Sequence, residues 1–182
     1  MKKFYFIRHG ETDWNVEKRI QGNTDIPLNA RGIDQAKQRA KTLQQEPFDA
    51  CFSSDLSRAE QTARVLIEGR SIPLYLDSRL RERSHGTLEG LLWHDYYAID
   101  PQKRTLIVES PDDVITRLFC FLEAITQKHV LVVTHGGIMK ILFHKLQAST
   151  QQIFIGNTAL LQVQWESNTP SILHYDGIDI FN

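Results

Sequence analysis

The sequence predicts an α/β fold of three layers, with a mostly parallel central sheet, helices on both faces and a small lid-like insertion. Short β-branched and aromatic runs alternate with stretches of helical period, as parallel strands joined by covering helices do. The run at 130–134 is nearly continuously apolar, the signature of a strand buried on both faces. The length of 182 residues reads as one domain, 1–182. A chain of this size buries about 70% of the surface exposed when unfolded. With 41% apolar residues it needs no disulfide staple.

A strand at 4–8 comes first. After Pro27 and Asn29, the segment 30–44 places Ile33, Ala36, the stem of Lys37, Ala40 and Leu43 on one helical stripe. The run at 50–53 is too short for anything but a strand. Within 57–68, Ala59, Thr62, Ala63 and Leu66 recur at helical spacing, closed by Gly69 and Pro73, and a third strand fits 72–76. Ser110 opens a helix as its cap, with Pro111 at the first helical position and Asp113 completing a pattern like a capping box. Val114, Leu118, Phe121, Leu122 and Ile125 form the buried face of that helix. The apolar strand at 130–134 is followed by a helix at 138–146 and by strands at 159–165 and 172–175. The insertion at 87–109 has two readings. Trp93, His94, Tyr96 and Tyr97 precede a polar 100–104, which suits a lid over a site or a packed excursion with a solvated turn.

With 21 basic and 22 acidic side chains the formal charge is −1. Nucleic acid and anionic membranes demand a surplus of Lys and Arg, so neither is an expected partner. Cys51 and Cys120 belong to no CxxC or Cys/His cluster, which leaves a zinc site or redox pair unsupported and suits a reducing cytoplasm. Arg8 and His9 cut the apolar run at 4–7 before it reaches the ~7 residues of a signal-peptide core. Nothing approaches the ~20 apolar residues of a membrane span. The expectation is a soluble cytoplasmic protein, and no pattern sets its oligomeric state.

Two strands end in polar groups that a strand does not need: Arg8-His9-Gly10, and Thr134-His135-Gly136-Gly137. Ligands of open α/β sheets bind outside the carboxyl ends of the strands, where both histidines fall. Gly10 and Gly136 allow a sharp turn and close approach to a ligand, and the amides of the following turn favour an anion. Arg58 stands past a third strand end, in the first turn of a helix whose dipole it opposes. A bound anion would offset that penalty. Arg8 and Arg58 present planar donor forks suited to phosphate oxygens. A lone Arg-His-Gly is more often structural, so the weight lies in its recurrence at successive strand ends.

The same residues belong to a longer pattern. Arg8-His9-Gly10-Glu11-Thr12 continues through Asp13-Trp14-Asn15, Arg19, Gln21-Gly22, Asp25, Pro27-Leu28-Asn29, Gly32 and Gln35-Ala36. It resumes at 53–59 with Gln61-Thr62-Ala63, at Leu80-Arg81-Glu82 with Gly86 and Glu89-Gly90, and at 134–137. In this order, over most of its length, the chain resembles the histidine phosphatase superfamily and its phosphoglycerate mutase-like fold. The resemblance implies that His9 is the nucleophile, that Arg8, Arg58 and His135 complete a phosphate pocket, and that Glu82 is the proton donor. It also implies that Asn15 and the Gln21-Gly22 turn lie against phosphate or substrate. Glu89, in a Glu-Gly turn, is read as a structural partner, and Glu11 as an orienting group.

The chemistry needs these residue types. Neutral imidazole is nucleophilic at neutral pH. Transfer to it splits hydrolysis into two steps in which preformed donors hold the phosphoryl charge. A departing alkoxide needs a proton, and a carboxyl group supplies one only if its pKa is raised, which burial and a nearby dianion favour and arginines oppose. No metal and no other cofactor is called for. A zinc or di-metal hydrolase built on His9, His85, His135 and Glu82 has no HExxH or paired Asp/His spacing behind it.

Two positions depart from the family pattern. Val108-Glu109-Ser110 replaces the usual Gly-Glu-Ser, and His85 stands where an aromatic or apolar residue is commoner. The insertion at 87–109 is also short. A compact lid argues against a mutase, which must shelter a bisphosphorylated intermediate from water. The sequence therefore reads as a metal-independent phosphatase acting on a small phosphorylated metabolite, most like the broad-specificity and α-ribazole-phosphate phosphatases. A cofactor-dependent phosphoglycerate mutase and a low-turnover regulatory domain binding phosphate or a phosphoprotein are the alternatives.

Overall fold

The structure is a computed structural model and describes residues 1–147, 151–166 and 170–181. Its elements are β1 (Lys2–Arg8), α1 (Asp13–Val16), α2 (Ala30–Thr42), β2 (Ala50–Ser53), α3 (Ser57–Leu66), β3 (Leu74–Leu76), α4 (Trp93–Ala98), α5 (Pro101–Thr105), α6 (Pro111–Ala124), β4 (His129–Thr134), α7 (Gly136–Gln147), β5 (Gln152–Trp165) and β6 (Ser171–Phe181). The six strands form one sheet in the order β3-β2-β4-β1-β5-β6. β1 to β4 pair in parallel, and β5 and β6 form an antiparallel hairpin against β1.

Side chains alternate across a strand, so a sheet covered on both faces must be apolar at every position. Phe4 and Phe6 of β1, with Val130 and Val132 of β4, pack in one layer with Leu118 and Phe121 of α6 and Ile138 and Met139 of α7. Tyr5, Ile7, Leu131 and Val133 pack in the other with Ala59, Ala63 and Leu66 of α3 and with Leu43. Each fully buried Leu or Phe stabilises by about 1.5–3 kcal/mol. The two layers thus clamp β1 and β4, whose register pairs Arg8 with Thr134. His9 and His135 emerge side by side from the two most firmly held strands.

The α2 stripe is rotated from the expected one. Gly32 and Ala36 face inward, Lys37 is exposed and Ile33 is 38% exposed. The reason is a backbone contact: a Cβ on Gly32 would lie 2.1 Å from the Glu11 carbonyl oxygen, and one on Gly10 would lie 2.4 Å from that of Gly32. Two glycines thereby let the first turn of α2 press on the loop after β1. At α6, Ser110 Oγ accepts from the Asp113 amide and donates to the Asp113 carboxylate, where a capping box would use the Ser110 amide.

β5 and β6 outrun the expected 159–165 and 172–175. The register shifts between Ile155 and Leu160, and Thr158 adopts φ 55, so polar 156–158 hides a continuous strand from a reading based on alternation. β3 is shorter than the expected 72–76. In 87–109, Leu88, Tyr96 and Val108 pack with Ile20 in a small cluster of their own, while Trp93 and Tyr97 stay exposed. No helix of the described residues is long and apolar enough to cross a membrane.

Gly32→Ala should cost about 1–3 kcal/mol by overpacking, against about 0.5 kcal/mol or less for Ile33→Ala at an exposed surface position. Urea denaturation of the two variants measures both, and equal costs would contradict the rotated stripe.

Candidate active site

The carboxyl ends of β1, β2 and β4 open into a cavity of about 460 Å³. Arg8, His9, Arg58 and Glu82 line it, as do Asn15, Gln21, Gly22 and Gly136. His135 is fully buried beside it, its ring centroid 5.2 Å from that of His9 at 60°. Every residue expected from the sequence is therefore gathered at one place.

His9 is 3% exposed. Its Nδ1 lies 2.7 Å from the Gly10 carbonyl oxygen, an acceptor that requires the proton on Nδ1 and leaves Nε2 with its lone pair. The Thr134 carbonyl accepts from the His9 amide at 2.9 Å, and Asn157 Nδ2 donates to the His9 carbonyl at 3.2 Å. Burial, then the charges of Arg58 and Arg8, hold the His9 imidazole well below its usual pKa. His135 is depressed in the same way by burial and by Arg58, and neither of its ring nitrogens has a hydrogen-bond partner among the described residues.

Arg58 is fully buried. Nη1 donates to the Thr24 carbonyl at 2.8 Å and Nη2 to the Gly22 carbonyl at 2.7 Å, while Nε has no partner among the described residues. Of five guanidinium N–H groups, three remain unassigned. Desolvation lowers its pKa to about 10, so it stays charged at neutral pH. Its place in the first turn of α3 is eased by Asp25, whose carboxylate accepts from the Ser57 amide and hydroxyl at 2.8 and 2.7 Å. Arg8 is partly buried and donates from Nη1 to the Ile155 carbonyl at 2.5 Å. Among the described residues no carboxylate forms an ion pair with either guanidinium. Two cations whose hydrogen bonds among the described residues go to neutral carbonyls form a receptor for an anion.

The expected role for backbone amides needs correction. The amides after His9 are already engaged: Gly10 by Thr62 Oγ1, Glu11 by Gln35 Oε1 and Thr12 by Asn15 Oδ1, at 2.8 to 3.1 Å. At the α7 N-terminus the Gly137 amide donates to Glu82 Oε2 at 2.9 Å. The helix end thus holds a carboxylate of the chain itself. A Cβ on Gly137 would lie 2.3 Å from Glu82 Oε1, so only glycine permits the approach.

Glu82 also accepts from the Arg83 amide at 2.8 Å. The loop carrying it is held by a residue the sequence reading overlooked. Arg117 Nη1 donates to the Arg79 and Arg81 carbonyls at 2.6 and 2.8 Å, Nη2 to the Glu82 carbonyl at 3.3 Å, and the guanidinium pairs bidentately with Glu109. Glu109 is the glutamate of the altered Val-Glu-Ser. Nothing flags Arg117, on the partly exposed side of α6, as more than a solvated helical arginine. Asn157, behind His9, lies in the strand segment that alternation missed.

Glu89 accepts from the Asn23 and Thr24 amides, the Thr24 hydroxyl and the His85 amide at 2.6 to 3.1 Å. Burial alone would raise its pKa, and these bonds bring it below the usual range. It thereby fixes the loop whose carbonyls hold Arg58. Asn15 Oδ1 accepts from the Thr12 amide and Gln21 Oε1 from the Thr12 hydroxyl, leaving both side-chain NH2 groups as the free ends. His85 Nδ1 lies 3.0 Å from the Tyr96 hydroxyl. Among the described residues no three His, Cys, Asp or Glu side chains are grouped as a metal ion would need.

Paired neutral imidazoles, flanking guanidiniums and an adjacent carboxylate at the carboxyl end of a sheet define an α/β enzyme site for an anionic substrate. The family model of the histidine phosphatase superfamily (branch 1) matches residues 4–176, and the chain belongs to that superfamily as an enzyme. It is similar to phosphoglycerate mutase-like protein 4 of Arabidopsis thaliana, at 34% identity over 165 residues covering 81% of this chain and 72% of that one. It is also similar to a metal-independent phosphoserine phosphatase of the same plant, at 36% over 163 residues covering 79% and 68%. Among solved structures, Bacillus stearothermophilus YhfR superposes with a TM-score of 0.84 at 29% identity, covering 95% of this chain and 96% of that one.

With both imidazoles depressed, the unfolded chain protonates them first, near pH 6.5. Their contribution to stability is complete above that pH and is lost progressively as the pH falls from there toward their lower folded-state values. The melting temperature of the ligand-free protein should drop between about pH 7.5 and 5.5, and less steeply in His135→Asn. Parallel melting curves for the two proteins check this, and identical slopes would contradict it.

Proposed function

We propose that this protein is a metal-independent phosphomonoesterase that passes the phosphoryl group of a small phosphorylated metabolite first to His9 and then to water. The observation that carries the reading is the state of His9: neutral, its proton fixed on Nδ1 by the Gly10 carbonyl, and flanked by two guanidiniums that form no ion pair among the described residues. Phosphoryl transfer asks the protein for little beyond positioning and charge stabilisation.

In the first step, Nε2 of His9 attacks phosphorus, the bond to the ester oxygen breaks, and that oxygen takes a proton from Glu82. Arg8, Arg58 and His135 hold the three other oxygens, and the Asn15 and Gln21 amides reach the same group. Gly22 and Gly136 allow the chain to pass close by. In the second step, water attacks phosphorus, its proton goes to Glu82, and the P–N bond breaks to return neutral His9 and inorganic phosphate. Glu82 supports both halves because the Gly137 and Arg83 amides hold its carboxylate beside the cavity. The relatives named above include one described as a phosphoserine phosphatase, which accords with hydrolysis of a small phosphomonoester.

His9→Ala should leave no acid-labile phosphoprotein after mixing with an aryl phosphate, as read by intact mass after rapid quenching; undiminished labelling would place the nucleophile elsewhere. Glu82→Gln should slow hydrolysis of an alkyl phosphate by about 10²–10⁴ and of 4-nitrophenyl phosphate far less, since a good leaving group needs no proton. Arg117→Ala should reproduce that leaving-group dependence with a smaller loss, about tenfold, because it acts on Glu82 only through the backbone. Equal losses on both substrates would reduce Arg117 to a structural role.

A further inference from the structure

The cavity is far more basic than one phosphoryl group requires. Beyond Arg8 and Arg58, its lining includes Arg83, Arg104 and Lys140, while the one carboxylate among the described lining residues is Glu82. The chain as a whole carries a formal charge of −1, so this is a local concentration of positive charge. None of the three outer cations forms an ion pair among the described residues.

Each is placed differently. Arg83 follows Glu82 in the chain and is anchored through Nε to the Glu109 carbonyl, which leaves its terminal nitrogens unspent. Arg104 of α5 places its guanidinium over Tyr96 at 4.9 Å and Tyr97 at 5.5 Å, and its buried Nε has no hydrogen-bond partner among the described residues. A cation laid flat on aromatic faces keeps its charge while its edge stays available. Lys140 is exposed on α7, four residues after Gly136 and hence about one turn, ~6 Å, outward along the same helix face. A further turn on stands His144, which also lines the cavity and whose buried Nδ1 has no hydrogen-bond partner among the described residues. Mutual repulsion disfavours such a cluster unless an anion answers it.

We infer that Arg104 and Lys140, aided by Arg83, form a second anion subsite, and that the substrate is a phosphomonoester whose leaving group itself carries a carboxylate or a second phosphoryl group. The inference rests on the proposed phosphatase reading for which end of the ligand occupies the His9 basin. Neutral leaving groups such as simple alcohols leave the outer cations unanswered.

The test uses probes that differ only in the second charge and carry an uncleavable C–P bond, so the result does not depend on turnover. By titration calorimetry, 3-phosphonopropionate should bind about tenfold more tightly than propylphosphonate, the effect expected of one charge-assisted hydrogen bond. The ratio should shrink with added salt. Lys140→Gln, at an exposed position that cannot disturb the core, should cut the ratio severalfold, and the double variant with Arg104→Gln should bring it close to one. A ratio near one in the parent protein, or an unchanged ratio in the double variant, would overturn the subsite. Ethane-1,2-diphosphonate identifies the natural charge: tighter binding than 3-phosphonopropionate supports a second phosphoryl group, and weaker binding supports a carboxylate. Turnover of 4-nitrophenyl phosphate without probe discrimination removes the subsite alone. Discrimination without any turnover removes the phosphatase reading and leaves the subsite in place.

Discussion

A fully buried guanidinium that forms no ion pair among the described residues is the constraint around which this molecule is arranged. Burying a charge costs several kcal/mol unless neighbouring dipoles replace water. At Arg58 the replacements are the carbonyls of Gly22 and Thr24. Those carbonyls point inward because Glu89 gathers the amides of the same loop from the far side. The chain thus supplies enough polarity to keep Arg58 charged, and the carboxylates of Glu82, Asp25 and Glu89 act on it only at longer range than an ion pair, so its positive field is answered only in part where the cavity opens. A carboxylate in the same place would have stabilised the ligand-free fold and closed the site to anions.

The same field settles the state of the imidazoles. Burial and two adjacent cations depress His9 and His135 together, so that both stay neutral without a dedicated base. A carboxylate can serve to orient a catalytic imidazole. Here a backbone carbonyl, that of Gly10, does the orienting, and a carbonyl adds no negative charge to compete with an incoming anion. The Gly10–Gly32 contact matters for this reason: it fixes the carbonyl that fixes the ring.

Support for the site weakens from the sheet outward. β1 and β4 are clamped between two apolar layers and carry the histidines. Glu82 sits on a loop whose position depends on Arg117 and Glu109, a partly exposed pair. The outermost wall, from α4 and α5, rests on a cluster of only four buried residues, Ile20, Leu88, Tyr96 and Val108. Phosphoryl chemistry needs the first region rigid, whereas recognition of a leaving group tolerates variation in the last. Such a gradient lets one scaffold keep its reaction while its substrates change.

The layered α/β architecture, the covering helices and the strand-end histidines were legible because they follow from local rules: apolar period, caps, and polar triplets closing apolar strands. Gln35, Gln61 and Thr62 were legible as parts of a motif, but their work of satisfying the amides at Leu28, Gly10 and Glu11 was not. Ile33 was misplaced because a periodicity argument weighs side chains and cannot see two backbones in contact at Gly10 and Gly32. Arg117, Asn157 and the Arg104 stack came to light only in three dimensions, since their partners are distant in sequence or are carbonyls, which every residue has. By itself, then, the order of amino acids determined which elements form and which residue types stand at their ends. Only the tertiary structure decided which charges go unanswered, because electrostatic compensation depends on distances between segments that no local pattern encodes.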